Sequence, residues 1–174
     1  MTLLALPGRK PQTLPWMQAL LADLGTPDAP IQRYRFWAHA DISNPDIEPE
    51  ITAASASSAD LVIAKSIGTL IAMLARRDRG LAAQAYVFVG TPVRRLAGLG
   101  QLDLLAAQAS AAPTLFIQQT ADPGGGFAEL AARLPEAAAL REVPGDNHAY
   151  ADTHALAALI AAWRPSLVPG SRGR

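Results

Sequence analysis

The sequence predicts an α/β fold, a three-layer α/β/α sandwich built on a mostly parallel sheet of about six strands. Three observations carry that expectation. Short apolar runs alternate along the chain with segments whose apolar residues recur at helical spacing, the pattern of βαβ units. Most of the runs stop at turn residues, as at Pro7-Gly8, Gly90-Thr91-Pro92 and Thr120-Ala121-Asp122. Half of the 174 residues are hydrophobic, enough for a substantial core in one domain, which we place at residues 1–165 with a loose tail at 166–174.

Thr2 to Leu6 opens the sheet as a buried strand closed by Pro7-Gly8. From Thr13 to Leu24, the residues Leu14, Met17, Leu20, Leu21 and Leu24 mark a helix, with Pro15 in its first turn and Gly25 past its end. Gln32 to Ala38, with Tyr34, Phe36 and Trp37, suits a second strand, and the turn-rich stretch Asp41 to Pro49 follows. Ile51 to Ala59, mostly Ala and Ser, reads as a helix with no large apolar face. Leu61 to Ala64 is the third strand, and Ile67 to Arg77 is a helix apolar nearly all round, ending in basic residues before Gly80. Tyr86 to Val89 is the fourth strand, Arg94 to Ala109 a frayed helix with two glycines, and Thr114 to Gln118 the fifth strand. Thr120 to Gly126 is a glycine-rich loop, read as flexible, and a short helix from Phe127 stops at Pro135. Leu140 to Val143 is an edge strand, and Asp152 begins a last helix that runs to Pro165.

Composition narrows the partners. Fifteen basic and fifteen acidic residues cancel, so the basic field of a nucleic-acid binder is absent. With no cysteine there is no disulfide framework, thiolate metal site or cysteine nucleophile. No apolar run approaches the ~20 residues that span a bilayer. Met1 to Leu6 lacks the basic flank and cleavage site of a leader, so the expectation is a cytoplasmic protein acting on a small molecule, with no membrane or nucleic-acid partner.

In a parallel sheet, ligands bind beyond the carboxyl ends of the strands. Ser66 lies after the third strand, Asp122 after the fifth and His148 after the sixth. A serine hydroxyl needs an adjacent base to become a nucleophile, and the base needs an acid to fix its tautomer. These three residues are therefore the candidate catalytic set. Ala64-Lys65-Ser66-Ile67-Gly68 sits between a strand and a helix and differs from the nucleophile-elbow pattern G-x-S-x-G only in its first residue.

With these residues in that order, the chain resembles the α/β-hydrolase superfamily, in a short form without a lid. The resemblance spans nearly the whole chain and rests on Pro7-Gly8-Arg9, the elbow, Thr120-Ala121-Asp122-Pro123 and Gly145-Asp146-Asn147-His148. The leading antiparallel strands of the family plan are missing, and Thr91 to Ala112 is too short for a cap domain. The resemblance implies a Ser-His-Asp triad and an oxyanion hole formed by the backbone N–H groups of Ile67 and Arg9, with Lys10 or Gly8 as substitutes for the latter. It implies no metal and no organic cofactor.

Each assignment has a plainer competitor. Ser66 could be only a tight turn, and His148 only a surface residue capping the last helix. His154 falls within that helix, and His39 reads as a polar loop residue. Asp146 and Asp152 compete with Asp122 for the acid, but only Asp122 follows a strand in the expected place, and Asp146, two residues from His148, would more naturally cap or shape that turn. Lys65 could attract an anionic substrate, against a reading in which it points to solvent or pairs nearby. Gly124-Gly125-Gly126 lacks the Lys-Ser/Thr signature of a phosphate loop. The expected activity is serine hydrolysis of small carboxylic esters, with thioesterase or acyl-transfer chemistry, or a non-catalytic scaffold, as alternatives. Pocket walls are expected from residues 9–16, 39–45, 91–99 and 149–150.

Overall fold

The apolar runs become strands and the periodic segments helices in a computed structural model that describes residues 2–163. In chain order these are β1 (Leu3–Leu6), α1 (Thr13–Asp23), a 3-10 helix (Arg35–Ala38), α2 (Glu48–Ser55), β2 (Leu61–Lys65), α3 (Ile67–Arg79), β3 (Ala85–Val89), α4 (Val93–Gly98), α5 (Asp103–Ala111), β4 (Thr114–Gln119), α6 (Phe127–Ala131), β5 (Ala139–Val143) and α7 (Thr153–Trp163). The five strands form one all-parallel sheet in the order β1-β2-β3-β4-β5. β1 to β4 are buried along their whole length, as a parallel sheet covered on both faces requires. β5 is the partly exposed edge.

Alternation along the strands divides the core in two. Leu6, Val62, Ala64, Phe88 and Phe116 pack with residues of α2, α3 and α5 on one face. Ala5, Ile63, Val87 and Ile117 pack under Met17, Leu20 and Leu21 of α1 and Leu156 and Ile160 of α7 on the other. The result is the expected three-layer sandwich.

The strand expected over Gln32 to Ala38 does not form, so the sheet has five strands rather than about six. Only Ile31 bridges to β1, with Ala5 N–H donating to Pro30 O at 3.0 Å and Gln32 N–H to Ala5 O at 2.9 Å. The buried Glu50 carboxylate then takes the Arg35 amide at 2.7 Å, and the chain turns into the 3-10 helix. Tyr34, Phe36 and Trp37 cluster instead of alternating, with Tyr34 4.9 Å from Phe36 and 5.1 Å from Trp37 between ring centres. Phe36 and Trp37 are adjacent, which a two-residue repeat could not place on one face.

Smaller differences have local causes. The frayed helix expected at 94–109 is two helices, α4 and α5, separated at Gly100, whose φ of 66° ends the first. α2 starts at Glu48, earlier than expected, because Pro49 fits a first helical turn and Glu48 and Glu50 complement its dipole. Pro165 and the tail at 166–174 lie outside the described residues.

The topology fixes where a ligand would bind. Ile31 lies on one side of β1 and β2 on the other. The chain leaves β1 through α1 on one face and returns to β2 through α2 on the opposite face. The chain thus steps outward from β1 to the Ile31 bridge and then back past β1 to β2, and a crevice opens beyond the carboxyl ends of these two strands where its direction reverses. There α3 approaches β1 closely, because residue 68 has no side chain. A Cβ on Gly68 would come within 2.7 Å of the Pro7 carbonyl oxygen and nearer still to that of Leu6. Gly68→Ala is expected to lower unfolding free energy by about 2–3 kcal/mol in urea titration, since backbone rather than a side chain would have to move.

Candidate active site

Ser66 occupies the turn between β2 and α3 with φ 53° and ψ −121°, a conformation that costs a non-glycine residue ~1–3 kcal/mol. It is held there by its own N–H donating to Val89 O at 3.0 Å and by its carbonyl accepting from Thr69 N–H at 2.9 Å. The hydroxyl is left half-exposed at the sheet edge. Ile67, the first residue of α3, keeps a backbone N–H with no protein acceptor, as the first turn of a helix does.

Asp122 and His148 meet although 26 residues separate them. His148 Nδ1 lies 2.9 and 2.8 Å from the two Asp122 oxygens. An ionised carboxylate only accepts, so Nδ1 carries the hydrogen and the neutral ring keeps its lone pair on Nε2. Asp122 is 1% exposed and collects two further donors, Tyr150 Oη at 2.7 Å and the Gly124 amide at 2.7 Å. Burial alone would push its carboxyl up, but the hydrogen bonds from His148 and Tyr150 lead the effects that outweigh it and hold the acid below its usual range. The glycines after Asp122 are close-packed rather than loose. A Cβ at Gly126 would lie 2.6 Å from Thr120 O, and one at Gly125 2.6 Å from Val93 Cβ.

Residues unmarked by any motif hold this pair in place. Gln119, at the end of β4, accepts the His148 amide at 2.9 Å through its side chain, and its own amide donates to Tyr150 Oη at 2.9 Å. Gln118 bonds both the Thr91 amide and the Gly125 carbonyl. Tyr150 is buried with φ 54°, and burial together with the bond to Asp122 raises its phenol pKa well above the ordinary value. Gly90 makes room for it: a Cβ there would lie 2.7 Å from Tyr150 and 3.1 Å from His148. The readable signal was a pair of glutamines closing an apolar strand.

Lys65 does not point to solvent. It is 3% exposed, its Nζ donates to His148 O at 3.0 Å and Ala149 O at 3.3 Å, and it lies 4.6 and 4.5 Å from the ring centres of Trp16 and Tyr150. It thus ties the loop that carries His148 to the strand that precedes the serine. Burial pulls its pKa down to about 8, against the upward pull of Asp122.

The loop after β1 is pinned through its carbonyls. Tyr34 Oη donates to Pro7 O at 2.8 Å, Thr13 Oγ1 to Gly8 O and Lys10 O at 3.2 and 2.7 Å, and Trp37 Nε1 to Arg9 O at 2.8 Å. Among the described residues the amides of Gly8, Arg9 and Lys10 have no protein acceptor. This loop, Ser66, Ile67 and His148 line one cavity of about 760 Å³, large enough for a small organic ligand. Ser66 Oγ makes no hydrogen bond to His148.

The other expected walls are only partly there. Residues 39–45 do not line the cavity, and Tyr150 stands behind it. His39, His154 and Asp146 are exposed outside the lining, and Asp152 caps α7 through a 2.9 Å bond to the Ala155 amide. Among the described residues no helix is long and apolar enough to cross a membrane, and no three His, Cys, Asp or Glu side chains are placed to hold a metal ion.

No family model matches the sequence, and no curated protein matches it. Among solved structures, the chain is similar to a protein of Pectobacterium atrosepticum described as a "putative YdeN-like hydrolase", with a TM-score of 0.66 and 18% identity over 97% of this chain and 94% of that one. The likeness is one of fold. It extends over nearly the whole of both chains.

Lys65 gives the site a measurable signature. The folded protein releases its proton near pH 8, whereas the unfolded chain holds it to about pH 10.4. The unfolded state therefore binds more protons in that window, and stability rises with pH there. Wild type is expected to gain on Lys65→Met by up to about 1.4 kcal/mol per pH unit between pH 8 and 10. Denaturant titrations of both proteins across that range test this, and parallel curves would contradict it.

Proposed function

We propose that the protein is a serine hydrolase of carboxylic esters, a compact relative of the α/β-hydrolases. The observation that carries this reading is the Asp122–His148 pair, buried on its acid side, opening through the imidazole into the cavity that Ser66 lines. A carboxylate this enclosed stabilises an imidazolium far better than water would, and that is what a base beside a serine needs.

In the proposed mechanism Ser66 Oγ attacks the acyl carbon while its proton passes to His148 Nε2. Charge develops on the former carbonyl oxygen, which the Ile67 and Arg9 amides hold. Each such donor contributes about 3–4 kcal/mol to lowering the barrier. Collapse of the tetrahedral species breaks the ester C–O bond, and His148 returns the proton to the departing alcohol. Water, deprotonated by the same imidazole, then attacks the acyl-enzyme and regenerates Ser66. Serine–histidine contacts are often long in unliganded sites and shorten when substrate fills them, so the missing Ser66–His148 bond is compatible with this role. A scaffold without chemistry would have no use for a buried carboxylate aimed at an imidazole. Thioesters and acyl transfer would use the same residues.

The test is hydrolysis of 4-nitrophenyl butyrate with fluorophosphonate labelling. Wild type is expected to turn over the ester and take the label. Ser66→Ala is expected to lose both, with kcat down by at least ~10³, and undiminished labelling of that variant would remove Ser66 from the mechanism. Asp122→Asn is expected to lower kcat by ~10³–10⁴, and Tyr150→Phe, which removes one of several donors to the acid, by roughly tenfold.

A further inference from the structure

The protein as a whole is neutral, yet its cavity is not. Arg9, Lys10, Lys65 and Arg95 are among its lining residues, and no carboxylate is. Lys65 is occupied by the carbonyls and rings described above, and Lys10 is exposed. Arg9 and Arg95 are different. Both half-buried guanidinium groups converge on one backbone carbonyl, that of Ser43, with Arg9 Nη1 at 2.8 Å and Arg95 Nη1 at 3.4 Å. Arg95 Nη2 reaches Asn44 Oδ1 at 3.0 Å, and Arg95 Nε is buried with no partner.

Two cations held side by side repel unless a counter-charge lies between them. No acid of the adjoining segment forms an ion pair with either guanidinium, although Asp41 lies near enough to Arg9 for that charge to help hold its carboxyl low. Asp41 accepts the Ser43 amide, Asp46 the Glu48 amide, Glu48 pairs with Arg79, and Glu50 is buried against the Arg35 amide. The neighbouring Arg94 shows what a neutralised partner looks like, since it forms a 2.6 Å ion pair with Glu129. Arg9 and Arg95 make no ion pair among the described residues. Burial and the charge of Arg9 both pull the Arg95 pKa down, the direction expected of a cation short of counter-charge.

We propose that Arg9 and Arg95 form an anion subsite of this cavity and that the preferred substrates are esters bearing a carboxylate. The ester half of this statement rests on the hydrolase reading; the carboxylate half does not. A guanidinium fork matches a planar carboxylate through two parallel hydrogen bonds, and a second guanidinium beside it adds charge without needing a new orientation. Asn44 and the Ser43 carbonyl hold the forks in place before the ligand arrives.

The test compares mono(4-nitrophenyl) adipate with 4-nitrophenyl hexanoate, which share chain length and leaving group and differ by one carboxylate. Wild type is expected to favour the adipate ester in kcat/KM. Arg95→Gln is expected to cut the adipate-to-hexanoate ratio at least tenfold, Arg95→Glu further, and Arg95→Lys, which keeps the charge and loses the fork, by an intermediate amount. A ratio unchanged in the Gln and Glu variants overturns the proposal. Binding of the adipate dianion, followed by titration calorimetry, reads the subsite without catalysis. Wild type is expected to bind it and Arg95→Gln at least tenfold more weakly. If neither ester is turned over but adipate binds in this way, the hydrolase reading falls and the subsite stands; if adipate does not bind, or binds both proteins equally, the subsite falls.

Discussion

A carboxylate shut away from water has to be met by donors on every side, and much of the sheet's carboxyl edge is arranged to satisfy that condition at Asp122. His148, Tyr150 and Gly124 each supply a hydrogen bond, and they come from two different loops. Leaving such a group short of partners costs several kcal/mol. The loops are therefore not free to vary independently. Tyr150 reaches the acid only because Gly90 yields space, and its hydroxyl is placed by the last amide of β4. Lys65 adds the remaining tie, from the strand before the serine to the carbonyls around the histidine.

The segment 30–37 shows how a sequence pattern can be read correctly as apolar and wrongly as regular. Tyr34, Phe36 and Trp37 have the composition of a strand, yet two of them spend their polar atoms on the carbonyls of Pro7 and Arg9. Those hydrogen bonds join the segment to the loop whose amides face no protein acceptor. A strand would have consumed its backbone in the sheet and left that loop unsupported. The cause lies in Glu50, a buried acid fifteen residues away from Arg35, and no local window contains both.

The same contrast separates what the chain discloses from what it withholds at the site. Strand ends can be located from apolar runs and turn residues, so the sequence alone puts Ser66, Asp122 and His148 at one edge. The geometry joins two of the three and puts the third in the same cavity. Lys65 stands out as a charge beside the serine and the glutamines as polar residues closing an apolar strand, but the partners of Lys65, Gln119 and Tyr150 are not legible, because they are carbonyls and a carboxylate distant in sequence. The split of 94–109 into two helices turned on the one glycine that adopts positive φ between them, which spacing alone does not show.

The bond from Trp16 Nε1 to Tyr150 O, at 2.6 Å, and that from Thr153 Oγ1 to Asp23 Oδ2, at 2.7 Å, link parts of the chain 134 and 130 residues apart. α1 and α7 lie side by side over the same face of the sheet, although they stand at opposite ends of the described residues. Contacts of such long sequence separation form late and slowly. Tyr150, whose hydroxyl bonds Asp122, is fastened at its carbonyl by this docking. The strained turn at Ser66 is local in sequence, whereas the Asp122–His148 pair that shares its cavity is bound up with these long-range contacts.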